Sequence, residues 1–262
     1  MHGKEIRLKR LFKHSDKMFI VPMDHGISAG PISGLTDISR AVESVEAGGA
    51  DAIIVHKGMV RWITEFLNPA GCELIVHLSA STDLSPLANK KELVASVEHA
   101  IKLGATAVSV HVNLADNAEA QMLKDLGQVA EQCDLWEIPL LAMMYVRDGS
   151  RESEYDPDKI SHAARVAEEV GADIVKVNYT GSPESFARVL SAVHIPVVIA
   201  GGPKMASTAN LLEMIFDATE VGAAGISIGR NIFQYQDPAQ LSATIRKILD
   251  QKITRDCLEE FR

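Results

Sequence analysis

The chain reads as an α/β protein, a single (β/α)8 barrel of the TIM type. Three observations predict it. First, one phrase recurs: an amphipathic helix ends at Gly, followed by Ala and a β-branched run. It appears at Gly49-Ala50-Asp51-Ala52-Ile53-Ile54-Val55, at Gly104-Ala105-Thr106-Ala107-Val108-Ser109-Val110, at Gly171-Ala172-Asp173-Ile174-Val175-Lys176 and at Gly222-Ala223-Ala224-Gly225-Ile226-Ser227-Ile228. Glycine just past a helix end takes the left-handed conformation at little steric cost. Second, the short apolar runs do not alternate with polar residues, which marks strands covered on both faces in a parallel sheet. Third, further runs at Met18 to Met23, Leu74 to Leu78, Pro139 to Tyr145 and Pro196 to Ala200 bring the strands to eight. Eight β-α units close into a barrel; a doubly wound open sheet is the alternative.

The segments between the strands carry helical stripes. Thr36 can cap a helix whose Ile38, Ala41, Val42 and Val45 share a face. Leu93, Val94, Val97 and Ile101 form a second stripe. Asp156-Pro157 supplies a cap and a first-turn proline before Ile160, Ala163, Ala164 and Val170. Leu211, Met214, Ile215 and Ala218 make another. The connection from Met59 to Cys72 is expected to be irregular, with one short helix. No linker or low-complexity stretch divides residues 1–262, so one domain is expected. It has a short N-terminal extension and a charged tail from about residue 250, in which Lys252 to Arg262 reads as a frayed or packing helix.

The 262 residues, 47% of them hydrophobic, suffice for one large core. The formal charge of −9 argues against a nucleic-acid partner. An anionic substrate stays open, because local backbone amides and a few cations outweigh net charge at short range. Cys72, Cys133 and Cys257 are odd in number and lack CxxC spacing, so they read as free thiols of a reducing, cytoplasmic compartment. The N-terminus, Met1 to Arg7, is too polar for a secretory leader. The longest apolar run, Ile138 to Val146, falls far short of the roughly 20 residues of a membrane helix.

Barrel active sites lie at the C-terminal ends of the strands. In this chain those ends carry Asp24-His25-Gly26, His56-Lys57-Gly58, His77 and Ser79, His111 and Asn113, Tyr145 and Arg147, Lys176 and Asn178, Gly201-Gly202-Pro203-Lys204, and Ser227, Gly229 and Arg230. Lys176 is the most informative. It ends an otherwise apolar strand, where desolvation would lower its pKa and make it a nucleophile toward carbonyls; a structural salt bridge is the rival reading. Tyr145 and Asp24, at the ends of the fifth and first strands, converge with Lys176 on the barrel axis as proton carriers, or else stand as a packing residue and a turn or helix-cap residue before Gly26. Gly201-Gly202 and Gly229-Arg230 match a barrel phosphate site: glycine amides approach phosphate oxygens and Arg230 adds a charged fork. The strand-end histidines lack a carboxylate cluster or close spacing, so no metal is expected, and no cofactor.

Val21-Pro22-Met23-Asp24-His25-Gly26-Ile27-Ser28, Ala142-Met143-Met144-Tyr145, Asp173-Ile174-Val175-Lys176, Ala200-Gly201-Gly202-Pro203-Lys204 and Ile228-Gly229-Arg230-Asn231-Ile232-Phe233 together resemble the archaeal-type class I aldolase family (DeoC/FbaB-like). The resemblance runs in register from about Ile6 to Leu249. It is nearest to the branch of 2-amino-3,7-dideoxy-D-threo-hept-6-ulosonate synthases and their bacterial relatives that build aminohydroxybenzoate precursors. The sister branch is the archaeal-type fructose-bisphosphate aldolases. Lys176 falls on the Schiff-base lysine, Tyr145 on the proton-donor tyrosine and Asp24 on the acid/base aspartate. The segments Asp24 to Ser28, with His25, Gly26 and Ser28, and Tyr145 to Arg147 fall on substrate contacts. Gly201, Gly202, Gly229 and Arg230 fall on the sugar-phosphate site. The resemblance further implies catalysis without a metal and homo-oligomers, commonly rings of barrels up to decamers. Two departures stand out. The tyrosine loop reads Tyr145-Val146-Arg147-Asp148-Gly149 where the family often has Tyr-Pro-Arg-Gly. Met143 stands where the fructose-bisphosphate branch tends to carry tryptophan, which favours the synthase branch.

The expected activity is therefore a class I aldolase or transaldolase. It would join a phosphorylated ketone, dihydroxyacetone phosphate or a deoxy-ketohexose phosphate, to an aldehyde, with aspartate semialdehyde leading. Arg147, Ser28 or Lys204 would meet the acceptor carboxylate. The alternatives are a fructose-bisphosphate aldolase, a phosphosugar-binding barrel without catalysis, and a phosphosugar isomerase or epimerase working by proton transfer alone.

Overall fold

A computed structural model describes residues 2–67 and 70–256. Its centre is a closed barrel of eight parallel strands: β1 (Met18–Pro22), β2 (Ala52–His56), β3 (Glu73–His77), β6 (Ala107–Leu114), β7 (Leu140–Val146), β8 (Ile174–Asn178), β9 (Val197–Ala200) and β10 (Gly225–Ser227). The open-sheet alternative is excluded, because β10 pairs with β1 and shuts the ring. All eight expected strands are present. A short antiparallel ribbon of β4 (Ser79–Ala80) and β5 (Glu92–Leu93) rises beyond β3.

The recurrent phrase works as expected. Gly49, Gly104, Gly171 and Gly222 all have positive φ, from +84° to +105°. Where its third residue is Asp, that side chain does more: it accepts a hydrogen bond from an amide at the start of the preceding strand. Asp51 Oδ2 lies 2.7 Å from the Phe19 amide and Asp173 Oδ2 2.8 Å from the Leu140 amide. Arg246 holds Asp51 from behind at 2.9 Å, tying the last helix, α10 (Pro238–Leu249), to the start of the barrel.

Helices α3 (Ile38–Ala47), α4 (Val97–Lys102), α5 (Glu119–Leu135), α6 (Pro157–Val170), α7 (Pro183–Ser191) and α8 (Thr208–Glu220) cover the outside. The Asp156-Pro157 start of α6 is as expected, with Asp156 accepting from the Asp158 and Lys159 amides. Two expectations need correction. Asp37, not Thr36, caps α3, because its carboxylate is the group that reaches the Arg40 amide. Leu93 and Val94 are not helical: Leu93 pairs with Ser79 in the ribbon, and Ser96 starts α4 by accepting from the His99 amide. The connection after β2 is two 3-10 turns, Lys57–Trp62 and Thr64–Phe66. Helix α10 stops at Leu249; the tail from residue 257, including Cys257, lies outside the described residues.

The core has two parts. The outer part fills the space between strands and helices. The inner part fills the barrel with Met18, Ile20, Ala52, Ile54, Ile75, Ala107, Leu141, Met143, Ile174 and Val198. The N-terminal extension is a helix, α1 (His2–Leu11), whose Leu8 and Leu11, with Phe12, pack against the inner cluster and plug the bottom of the barrel. Its charged sequence hid this role, since its few apolar residues are interleaved with Arg7, Lys9 and Arg10. With the lower barrel sealed by side chains, the C-terminal ends of the strands are left as the place for chemistry.

Candidate active site

Side chains alternate in and out along a strand. Two residues beyond Ile54, Ile75 and Ile174 of the inner cluster come His56, His77 and Lys176 on the same inward face. One layer of the barrel is apolar and the next is titratable. Lys176 is 7% exposed. Its register partners are Met143 on β7 and Val198 on β9, both buried members of the inner cluster. Among the described residues no hydrogen bond or ion pair engages its Nζ, so the salt-bridge rival has no support.

Asp24 follows β1 and faces a set of imidazoles. Its Oδ1 lies 3.6 Å from His25 Nδ1 and its Oδ2 3.8 Å from His77 Nε2. His56, His77 and Ser109 are cross-strand neighbours in one row. Hence the His56 and His77 rings meet edge to face at 5.3 Å, and His77 Nδ1 lies 2.8 Å from Ser109 Oγ. Burial pushes His77 down to about 4 against the pull of Asp24. Burial likewise lowers His25, His56 and, most strongly, His111. For Asp24, burial alone would raise the carboxyl, but His77, His25, Lys176 and His56 outweigh it and hold the group below the ordinary carboxylate range. At neutral pH the imidazoles are uncharged. Asp24 is then an anion beside neutral rings. The helix-cap reading of Asp24 does not hold: the residue before α2 (Gly26–Ala29) is His25, and no side chain caps that helix.

On the other flank of Lys176, Tyr145 stands on β7, half-buried, with its ring 4.8 Å from that of His111. Arg147 lies over the Tyr145 ring, its Cζ 5.2 Å from the centroid. Glu154, in the 3-10 turn Ser153–Tyr155, forms an ion pair with Arg147. The Glu154 carbonyl also accepts from Asn178 Nδ2 at 3.0 Å. One turn therefore fixes both the loop after Tyr145 and the strand that carries Lys176. Glu154 escaped the sequence reading because its loop contains no motif; its place is set by tertiary contact.

The loops after β9 and β10 form a third group. Gly202 has φ +63°, and the amides of Gly202 and Gly229 donate to no protein acceptor among the described residues. Arg230 opens α9 (Arg230–Phe233), and its Nη2 donates to the Gly202 carbonyl at 3.1 Å. Its Nε and the Ser227 Oγ are buried without a hydrogen-bond partner. Asn231 Nδ2 braces the same loop through the Gly201 and Pro203 carbonyls. Two of the glycines also have a packing reason: a Cβ on Gly201 would meet Ile228, and one on Gly229 would lie 2.4 Å from the Pro22 carbonyl. Unused amide donors beside an arginine are the groups from which an anion cradle is built.

Lys204 is exposed, and its Nζ donates to the Gln234 carbonyl at 2.8 Å. Gly26 and Asp24 line an apolar pocket of about 400 Å³ with Met23, Ile27 and Met59. Ser28 is bound to the ribbon loop through the Ser81 carbonyl at 3.2 Å. Lys91, in that loop, faces Asp24 and the histidines. It too was missed, although a polar loop of this length after a barrel strand is itself a functional signal. Among the described residues no three His, Cys, Asp or Glu side chains are placed to hold a metal ion.

Residues 18–235 match the model of the DeoC/LacD family aldolases. A relative from Streptomyces griseus, 2-amino-4,5-dihydroxy-6-oxo-7-(phosphonooxy)heptanoate synthase, is 41% identical over 97% of this chain and 92% of its own length. The 2-amino-3,7-dideoxy-D-threo-hept-6-ulosonate synthase 1 of Archaeoglobus fulgidus is 43% identical over 100% of this chain and 96% of its own. The structure of a Schiff-base-forming fructose-1,6-bisphosphate aldolase superposes with a TM-score of 0.86 at 28% identity, covering 94% of this chain and 99% of that one. The chain belongs to the DeoC/LacD family of aldolases, and is a class I aldolase by its likeness to them.

Proposed function

We propose that this aldolase joins dihydroxyacetone phosphate to aspartate semialdehyde through an imine on Lys176. The observation that carries the reading is Lys176 itself: a buried, inward amine on β8 that no hydrogen bond or ion pair engages among the described residues, close enough to Asp24 to lower its carboxyl, with Tyr145 on the adjacent strand β7 and the loops of the cradle after β9 and β10. The chemistry of the Streptomyces relative's product supports the substrate pair. Its 6-oxo group and 4-hydroxyl stand in aldol relation. Undoing the bond between carbons 4 and 5 yields dihydroxyacetone phosphate and 2-amino-4-oxobutanoate, which is aspartate semialdehyde.

In this reading the cradle of Gly202, Gly229 and Arg230 takes the donor phosphate. The Lys176 amine attacks the ketone carbon to give a carbinolamine. Tyr145 donates the proton with which hydroxide leaves as water, and the iminium forms. The Asp24 carboxylate stabilises that cation and takes the proton from the adjacent carbon. The enamine carbon then bonds to the aldehyde carbon, whose oxygen collects a proton. Water adds back to the iminium and frees Lys176.

Borohydride added with dihydroxyacetone phosphate is expected to leave a reduced three-carbon phosphate adduct on the Lys176 peptide, read as a mass shift. Active enzyme with Lys176 unmodified rejects the proposal. Product masses with dihydroxyacetone phosphate or a deoxy-ketohexose phosphate as donor identify the donor. Cleavage of fructose 1,6-bisphosphate in place of condensation would assign the sister activity.

A cytoplasmic homo-oligomer belongs to the same proposal. Cys72 and Cys133 are free and buried, each thiol pushed up to about 12 by burial, as suits a reducing compartment. Trp62, Leu84 and Leu87 are exposed apolar side chains of the kind a subunit contact covers. Among the described residues no helix is long and apolar enough to cross a membrane. The mass of the particle in solution tests the assembly.

A further inference from the structure

We infer that Lys91 is the residue that binds the carboxylate of the acceptor aldehyde, so that the enzyme selects an acidic aldehyde over a neutral one. The inference rests on the aldolase reading above and deepens it.

The donor end of the site is fixed by the cradle at β9 and β10 and by Lys176 on β8. The acceptor must come from the opposite wall, formed by β1, β2, β3 and β6. There a small polar chamber of about 40 Å³ is lined by Asp24, Ser28, His56, His77, Lys91 and His111. That is room for a few waters or one carboxylate. Its fixed charge matters. Asp24 is an anion and the imidazoles are neutral at neutral pH. A substrate carboxylate entering beside Asp24 is repelled unless a cation answers it. Lys91 is the lysine that lines the chamber.

The Lys91 ammonium is poised for this. It donates to Ser81 Oγ and to the Ala88 carbonyl at 3.2 Å, which uses two of its three protons. No carboxylate pairs with it among the described residues. Burial lowers its pKa despite the attraction of Asp83 and Asp24, as for a partly desolvated ammonium. His56, on the same wall, has both ring nitrogens buried without a partner, so the wall offers further unused polar groups. Two of the three residues expected in this role are engaged elsewhere: Arg147 is paired with Glu154, and Lys204 donates to Gln234 at the surface. Ser28, tied to the ribbon loop, contributes to the same chamber.

The test compares kcat/KM for aspartate semialdehyde and for butanal, an uncharged aldehyde of the same length, in the wild type, Lys91→Met and Lys91→Arg. The ratio of the two is expected to fall on the order of 10²-fold in Lys91→Met, mainly through the KM of the charged acceptor, and to recover most of the way in Lys91→Arg. A lysine that merely fastens the loop would lower both acceptors together. An unchanged ratio in Lys91→Met therefore overturns the inference, whatever happens to the absolute rates. Borohydride trapping with donor alone, run in parallel without acceptor, reads the Schiff-base assignment. Its failure would strike that assignment and leave the Lys91 ratio to be judged separately.

Discussion

The Asp24 carboxylate and the His77 ring are held 3.8 Å apart, while the far side of the ring is bonded to Ser109. The pair makes stability depend on pH in two windows. His77 falls from 6.5 to about 4 on folding because burial disfavours its charged form. Between those values the unfolded chain binds a proton that the folded chain refuses. Stability is thus fully present above about 6.5 and drains as pH falls toward 4, by about 3 kcal/mol from this group alone. Asp24, depressed, adds a loss in the same direction only below the ordinary carboxylate range. Urea unfolding at pH 7.5 and 4.5 should show the wild type losing clearly more stability than His77→Gln. Equal losses would remove His77 as the source.

Tyr145, Arg147 and Glu154 should behave as one unit. Tyr145→Phe leaves the Lys176 imine possible but slows turnover by roughly 10²-fold, the usual scale of a positioned general acid. Glu154→Gln unpairs Arg147 from its anchor and is expected to lower kcat about 10-fold with little change in donor KM. Combining the two should cost little more than Tyr145→Phe alone, since Glu154 acts through the tyrosine loop. Fully multiplicative losses would separate Glu154 from Tyr145.

At the anion cradle, Arg230→Met should raise the KM for dihydroxyacetone phosphate roughly 10²-fold, the scale of a lost charge-assisted contact. Inhibition by inorganic phosphate should weaken in parallel. Lys204→Met, at the exposed position, should leave both within about 3-fold. The reverse ranking would move the phosphate to Lys204.

The strands and the residues at their ends were legible because both follow local rules. A glycine stop and an unbroken apolar run mark a buried parallel strand, and position along it marks the mouth. Lys176, Asp24 and Arg230 could be named for that reason. What escaped was fixed at long range. Helix α1 looks like a solvated charged segment until the open bottom of the barrel gives Leu11 somewhere to go. Leu93 fits a helical stripe, and only its pairing with Ser79 makes it a strand. Glu154 and Lys91 sit in loops without motif, and their meaning comes from Arg147 and from the chamber beside Asp24. The twin role of Gly201 and Gly229, packing as well as amide donation, is equally invisible in sequence.

The seam of the barrel gives the sharpest stability prediction. Gly225 on β10 sits at φ +144°, and a Cβ there would lie 2.0 Å from the Met18 carbonyl oxygen and 2.6 Å from the Met18 amide nitrogen. Met18 is its own register partner in the pairing that closes the ring. Backbone cannot yield there without opening β1 from β10, so Gly225→Ala should cost more than about 4 kcal/mol and leave little folded protein. Gly104 is the control. It too has positive φ, at +88°, but nothing lies within 4 Å of the added carbon. Gly104→Ala should therefore pay only the left-handed strain, about 1 kcal/mol. Soluble yield and urea midpoints for the two variants, side by side, measure the difference. A Gly225→Ala protein as stable as Gly104→Ala would mean that the ring is not shut at that pairing.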